Sequence, residues 1–184
     1  MLSGTGPGKG TAMNQSQKNS ARRVRVLAVA SSGGHWIQLL RMRPAWQDFD
    51  VAYLTTEASY KDQLRDDRGG AGGKPPRFYT VVAANRWQKF RLVRQLLKIV
   101  WVVLKERPTV ICSTGAAPGY FAIRLGKLIG ARAIWIDSIA NAETMSMAGK
   151  KSAPHADVWL TQWENLEGAQ ETAHRTPEYW GAIL

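Results

Sequence analysis

Short apolar runs punctuate this chain at intervals, and each leads into residues that permit a tight turn. Residues 24–30 read Val-Arg-Val-Leu-Ala-Val-Ala, and similar runs lie at 51–55, 78–83, 109–112, 133–136 and 158–161. Brief runs bounded by turn residues predict buried strands, and helical spacing fills most of the gaps between them. That alternation predicts an α/β fold: a single Rossmann-like domain whose mainly parallel sheet is covered on both faces. The one strong interior break is 68–76, where Gly69-Gly70-Ala71-Gly72-Gly73 and Pro75-Pro76 predict a surface loop. Neither a repeat nor a second-domain boundary is visible.

Three of the strand ends carry candidate chemistry. The first strand runs into Ser31-Ser32-Gly33-Gly34-His35, with Ile37, Leu39 and Leu40 spaced for a helix face behind it. This order puts His35 and free backbone N–H groups at a helix N-terminus, at the strand end where open α/β sheets bind ligands. A neutral imidazole there can take a proton from an attacking hydroxyl, or it can be a local cap. Ser31 and Ser32 either bond phosphate oxygens or close the turn. The second junction is Cys112-Ser113-Thr114-Gly115-Ala116-Ala117-Pro118-Gly119, whose small residues admit a ligand to the backbone. The third is Asp137-Ser138 after 133–136, where the carboxylate orients a sugar hydroxyl or His35, or caps a helix. Arg86, just past 78–83, is a candidate phosphate partner or the solvated start of the next helix.

Residues 87–106 read as that helix. Phe90, Val93, Leu97, Val100 and Leu104 recur at helical spacing, Leu92, Leu96, Ile99 and Val103 widen the arc, and Arg91, Arg94, Lys98 and Lys105 make a basic stripe beside Trp101. Two readings stand together: a helix covering the sheet with a solvated face, and one that also rests on a membrane through Trp101 and the stripe. Its unbroken apolar stretch is too short to span a bilayer.

The charge sharpens this picture. The 184-residue chain has a net charge of +11. Lys9, Lys18, Arg22, Arg23 and Arg25 stand without an acid before residue 26, and 86–107 holds seven bases against Glu106. Together these two segments supply the whole excess, which points to an anionic surface, membrane or nucleic acid. Scattered tryptophans weigh against nucleic acid as a partner. Residues 1–22 are polar and predict a disordered basic leader, with the folded domain at 23–184. Single Cys112 permits no internal disulfide. G-x-G-x-x-G, the P-loop pattern, G-x-S-x-G and metal-ligand spacing are all missing, so neither cofactor nor metal is expected.

In order and spacing these motifs resemble the acceptor-side, membrane-associated subunit of the two-part UDP-N-acetylglucosamine transferase that extends dolichol-linked oligosaccharides, with its bacterial capsule and exopolysaccharide counterparts. The likeness runs from Arg23 to Leu184. Ser32-Gly33-Gly34-His35, Ser113-Thr114-Gly115 and Asp137-Ser138 match the three loops; Ser146-x-x-Gly149-Lys150, Ala156-Asp157, Gln162-Trp163 and Tyr179-x-Gly181-x-x-Leu184 match the closing segments. Gln38 and Asn141 depart from it, standing where an acid and a base are common.

The resemblance implies the N-terminal half of a GT-B glycosyltransferase, an inverting enzyme active only as a heteromer. A separate donor-binding glycosyltransferase subunit would bring the UDP-sugar, and the acceptor would be a sugar linked to a lipid diphosphate. His35 is then the base and Asp137 orients it or the acceptor. Ser32, Gly33, Gly34, Arg86, Ser113, Thr114, Gly115 and Ser138 bind substrate; Tyr179, Trp180, Gly181 and Leu184 dock the partner. The expected location is peripheral, on the cytoplasmic face of the inner membrane. The alternative is a non-catalytic membrane anchor that recruits a transferase.

Overall fold

The computed structural model describes residues 24–64, 75–84, 87–173 and 175–183. The expected leader at 1–22, the glycine run of the 68–76 loop, Arg86 and Leu184 lie outside the described residues. Within them the expected α/β domain is present. Strands β1 (Arg25–Val29), β2 (Asp50–Thr55), β3 (Arg77–Thr80), β4 (Val110–Ser113), β5 (Arg132–Ile136), β6 (Val158–Thr161) and β7 (Glu178–Tyr179) form one sheet. Their order is β3-β2-β1-β4-β5-β6-β7, and every neighbouring pair is parallel. The third strand is shorter than the apolar run suggested, and β7, two residues long, carries no run that would announce it.

Alternation along the central strands splits the core into two layers. Leu27 and Val29 of β1 and Ala52 and Leu54 of β2 face helices α2 (Lys89–Glu106), α3 (Ala116–Leu128) and α4 (Met147–Ser152). Val26, Ala28, Val51 and Tyr53 point the other way, to Trp36 and Leu39 of α1 (Gly34–Arg41). Both faces are therefore dry, which is why these strands read as continuous apolar runs.

Helix α2 corrects the arc drawn from the sequence. It covers the sheet with Gln95, Ile99, Val102, Val103 and Glu106, while Phe90, Val93, Leu97 and Leu104 are 87, 55, 64 and 57% exposed. The apolar arc is wide, and only the Ile99–Val103 side of it turns inward. Two polar residues complete the buried face because each has a partner waiting. Gln95 donates to the Val82 carbonyl at 2.7 Å. Glu106 accepts from Arg77 at 2.7 Å and from the Tyr79 hydroxyl. Burial, reinforced by Glu106, pushes the Tyr79 phenol up to about 12, so it keeps its proton to donate. The helix ends at Arg107, in a left-handed conformation just before Pro108.

Helix α3 lies close on β4 because Gly126 has no side chain: a Cβ there would come within 2.2 Å of the Ile111 Cδ1. Overfilling a packed contact costs about 1–3 kcal/mol. Gly126→Ala is expected to lower the free energy of unfolding by that amount in urea denaturation, and an unchanged midpoint would contradict this packing.

Candidate functional site

The strand order reverses between β1 and β4, so their loops leave the same end of the sheet on the two sides of a crevice. The β1 loop is pinned from beneath. Ser32 N–H donates to Thr56 Oγ1 at 2.9 Å and Gly33 N–H to the Tyr60 hydroxyl at 3.0 Å. Gly33 sits at φ 78°, a conformation that favours glycine. Behind it, buried Trp36 stacks on Tyr60 with ring centroids 5.1 Å apart and donates from Nε1 to Gln63 at 2.8 Å. The start of α1 is thereby held, and His35 occupies its first turn.

The structure brings His35 to the second loop. Its carbonyl accepts from Thr114 Oγ1 at 2.7 Å. Its ring lies over Gly115, where a Cβ would fall 2.4 Å from Cδ2 and 2.5 Å from Nε2. Glycine is thus required at 115 for the imidazole to rest there, and its φ of 144° favours glycine independently. Ser31 Oγ lies 2.8 Å from Nδ1. Burial lowers the His35 pKa from the ordinary histidine value, the negative charge of Asp137 opposing that shift. Burial thus favours the neutral imidazole.

Other expected residues serve the frame around this pair. Ser113 and Thr114 are fully buried; the Ser113 hydroxyl accepts from Gly115 N–H at 3.2 Å, and that of Thr114 is spent on His35. Ser138 accepts from Ala140 N–H at 3.3 Å and closes its own turn. Asp137, only 2% exposed, takes hydrogen bonds from Trp135 Nε1 (3.1 Å), Asn141 Nδ2 (3.1 Å), Ser146 N–H (2.6 Å) and Ser146 Oγ (2.6 Å). Its oxygens lock the β5–α4 connection and act on His35 through space. Ser32, Gly33 and Gly34 are the exposed members of the set.

Sequence reasoning noted Gln38 and Gln162 only as a departure from and a match to the family pattern, and gave neither a role in joining these loops. Buried Gln162, at the end of β6, donates to Gln38 Oε1 at 2.9 Å and to the Asp137 carbonyl at 2.8 Å, and accepts from Ile183 N–H at 2.8 Å. A glutamine in a run carries no periodic signal; only the matching positions of Asp137 and Gln162 at the ends of β5 and β6 point to it. Ile183 packs into the α1-side core, and Tyr179 pairs with Thr161 of β6, leaving Trp180 as the tail's most exposed aromatic, at 67%. The expected basic stripe stands outward on α2: Arg91, Arg94, Lys98 and Lys105 are exposed, with the ammonium groups of Lys98 and Lys105 at 4.2 and 4.6 Å from the Trp101 ring centroid. Among the described residues no helix is long and apolar enough to cross a membrane, and no three metal-ligating side chains gather.

Compared with known proteins, the chain is 26% identical over 188 residues to the UDP-N-acetylglucosamine transferase subunit ALG14 of Eremothecium gossypii, covering 86% of this chain and 80% of that one. A protein of the same description from Candida albicans is 31% identical over 88 residues, 45% of this chain and 38% of the other. The resemblance read from the motifs thus reappears in whole-sequence similarity. No family model matches the chain. Among solved structures, Acinetobacter baumannii MurG superposes with a TM-score of 0.62 at 13% identity, over 85% of this chain and 45% of its own. The UDP-N-acetylglucosamine 2-epimerase of Rickettsia bellii gives 0.61 at 14%, over 88% and 46%. The fold is a Rossmann-like half of the GT-B kind, and the chain spans about half the length of these two structures.

Because the folded-state pKa of His35 is depressed below the unfolded value of about 6.5, its contribution to stability is complete above that pH. It is lost as the pH falls through the folded value, since the unfolded chain then binds a proton that the native chain refuses. NMR titration should give the His35 ring a midpoint below 6.5. Chemical denaturation of His35→Gln should show a weaker loss of stability than the parent as the pH falls below about 6.5. Comparing the two removes the parallel effect of His155, whose pKa is also lowered by burial and by Arg124.

Proposed function

We propose that this chain is the acceptor-binding subunit of an inverting glycosyltransferase, completed by a separate subunit that binds a UDP-sugar. The observation that carries the reading is the seating of the His35 imidazole on Gly115 at the switch point of the sheet. It is supported by similarity, over 86% of the chain, to a protein described as a UDP-N-acetylglucosamine transferase subunit. The acceptor is a sugar linked to a lipid diphosphate. Its hydroxyl oxygen attacks the anomeric carbon of the donor from the face opposite the UDP. The new C–O bond forms as the bond to phosphate breaks, the electron pair leaves with UDP, and the hydroxyl proton passes to His35. Exposed Ser32, Gly33 and Gly34 face the phosphates, while Ser113, Thr114 and Gly115 shape the wall against which His35 rests.

Residues 23–184 serve as one acceptor-side domain, peripheral on the cytoplasmic face of the membrane. Outward Phe90, Val93, Leu97 and Leu104 supply buried apolar area, and Arg91, Arg94, Lys98 and Lys105 around Trp101 supply attraction to anionic headgroups. The leader adds five bases, counting Arg25 at its edge. The tail docks the partner through Trp180. Among the described tail residues Tyr179 is already engaged on β6, Gly181 turns the chain at φ 106°, and the Trp180 indole is 67% exposed. The second reading, a recruiting anchor without a reacting group, is favoured by the use of Ser113, Thr114 and Ser138 within the protein's own loops.

Coexpression with a donor-binding subunit and assay of sugar transfer to a lipid diphosphate separates the two. His35→Ala is expected to retain the complex and lose ~10²-fold or more in transfer, the scale of a general base; unchanged transfer would leave the anchor reading. Trp180→Ala is expected to release the partner. It is the better probe than a tail deletion, which would also strip β7 and the Ile183–Gln162 bond.

Membrane attachment has its own test. Reversal of Arg91, Arg94, Lys98 and Lys105 to Glu should release the protein from anionic vesicles, as should raised salt, because each surface base contributes about 1 kcal/mol. Retention of all four reversed charges on the vesicle would remove α2 from the membrane.

A further inference from the structure

A neutral imidazole has one N–H and one lone pair, and the group at one nitrogen decides what the other can do. For His35 the sequence nominates Asp137 as orienting group, in the manner of a base steadied by a carboxylate. The geometry removes it from that role. Its oxygens take four hydrogen bonds from Trp135, Asn141 and Ser146. The group at His35 Nδ1 is Ser31 Oγ, at 2.8 Å.

A serine hydroxyl has one proton to give and lone pairs to receive with. The second contact of Ser31 Oγ is the Ser32 carbonyl oxygen, at 3.4 Å, which can only accept. The separation is long for a strong bond. Where the hydroxyl proton turns toward that carbonyl, the lone pair faces the imidazole and Nδ1 carries the hydrogen. Nε2, beside Gly115, then keeps its lone pair. The backbone beneath is fixed by the bond from Thr114 Oγ1 to the His35 carbonyl, so the ring pivots only about its own side-chain torsions, and Ser31 and Gly115 are the contacts that hold it.

We infer that Ser31 is the positioning residue of the site: it holds His35 as the Nδ1–H tautomer and leaves Nε2 free to receive the proton of an acceptor hydroxyl. This assignment deepens the reading of His35 as the proton acceptor and rests on it. Ser31 touches no reacting atom; it acts through the imidazole. The position four residues before the histidine is also open to inspection in the sequence, since the loop is short enough for Ser31 to fold back over the first turn of α1.

The experiment is a long-range proton–nitrogen NMR correlation on the full chain labelled with ¹⁵N-histidine, at a pH where His35 is neutral. The parent should show a protonated, pyrrole-like Nδ1 and an unprotonated Nε2 for His35. Ser31→Ala should lose that pattern with a native amide spectrum, and Ser31→Thr, which keeps the hydroxyl, should retain it. A parent spectrum with the proton on Nε2 overturns the proposal, as does an unchanged tautomer in Ser31→Ala; the parent spectrum alone decides if the alanine variant does not fold. In the coexpressed complex Ser31→Ala should lower kcat by roughly 10-fold or more with little change in KM, a part of what a general base supplies. Equal kcat in parent and variant, with the tautomer changed, also overturns it. Absence of transfer from the parent complex, with the Nδ1–H tautomer present, instead brings down the reading of the site as a transferase while the assignment of the hydrogen stands.

Discussion

Parallel pairing of β1 with β4 is the constraint on which the site depends. The two strands are 81 or more residues apart in the chain, yet Val26 lies beside Val110 and Val29 beside Ser113, so both strands end at one level and both loops emerge together. A shift of this register by one residue would turn Leu27 and Val29 out of the layer they share with Ile111. It would also carry Gly115 away from His35. The loop geometry therefore follows from core packing: Ile111, Cys112, Leu27 and Ala28 are at most 2% exposed, and their burial holds the loops in register, with the bond from Thr114 Oγ1 to the His35 carbonyl joining them.

A polar network does the corresponding work on the other side of the crevice. Asp137 is a buried carboxylate with its hydrogen-bonding capacity met by the β5–α4 connection, and Gln162 ties its backbone carbonyl to Gln38 on α1 and to Ile183 of the tail. Removal of one partner from such a network leaves the others buried and unsatisfied, at about 1–3 kcal/mol for each neutral group and more for the charge. The arrangement is accordingly all-or-none. It makes the seating of the tail, the end of β6 and the helix that bears His35 parts of one hydrogen-bonded unit.

The layered architecture and its first six strands were legible because dry parallel strands and amphipathic helices leave periodic traces. The closeness of His35 to Gly115 was legible only as adjacency of two glycine loops; the contact itself follows from strand order, which no local pattern encodes. Helix α2 was turned wrongly because hydropathy counts Gln95 and Glu106 as solvent-facing, whereas the Val82 carbonyl, Arg77 and Tyr79 meet them inside. Hydrogen-bond partners distant in sequence override the periodic signal. Strand β7 was invisible for a simpler reason: two residues have no period.

That rotation of α2 ties the outer surface to the site. With Gln95 and Glu106 inward, Leu97 and Trp101 line a groove with Thr56, Val81, Arg94 and Lys98. Thr56 is also the residue whose hydroxyl receives the Ser32 N–H and so holds up the glycine loop. The groove and the loop therefore share a wall. On the proposed reading, an acceptor whose apolar chain lies along the exposed side of α2 needs no separate channel to reach His35: its phosphates meet Arg94 and Lys98 and then Ser32, Gly33 and Gly34 as it leaves the bilayer surface. Had α2 buried Phe90 and Leu97 as the simple wheel suggests, that side of the groove would be lined by polar side chains and its apolar lining beside the glycine loop would be lost. The apparent expense of leaving large hydrophobic residues in water is thus the other side of burying Gln95 and Glu106, and both follow from the partners that the β3 edge provides.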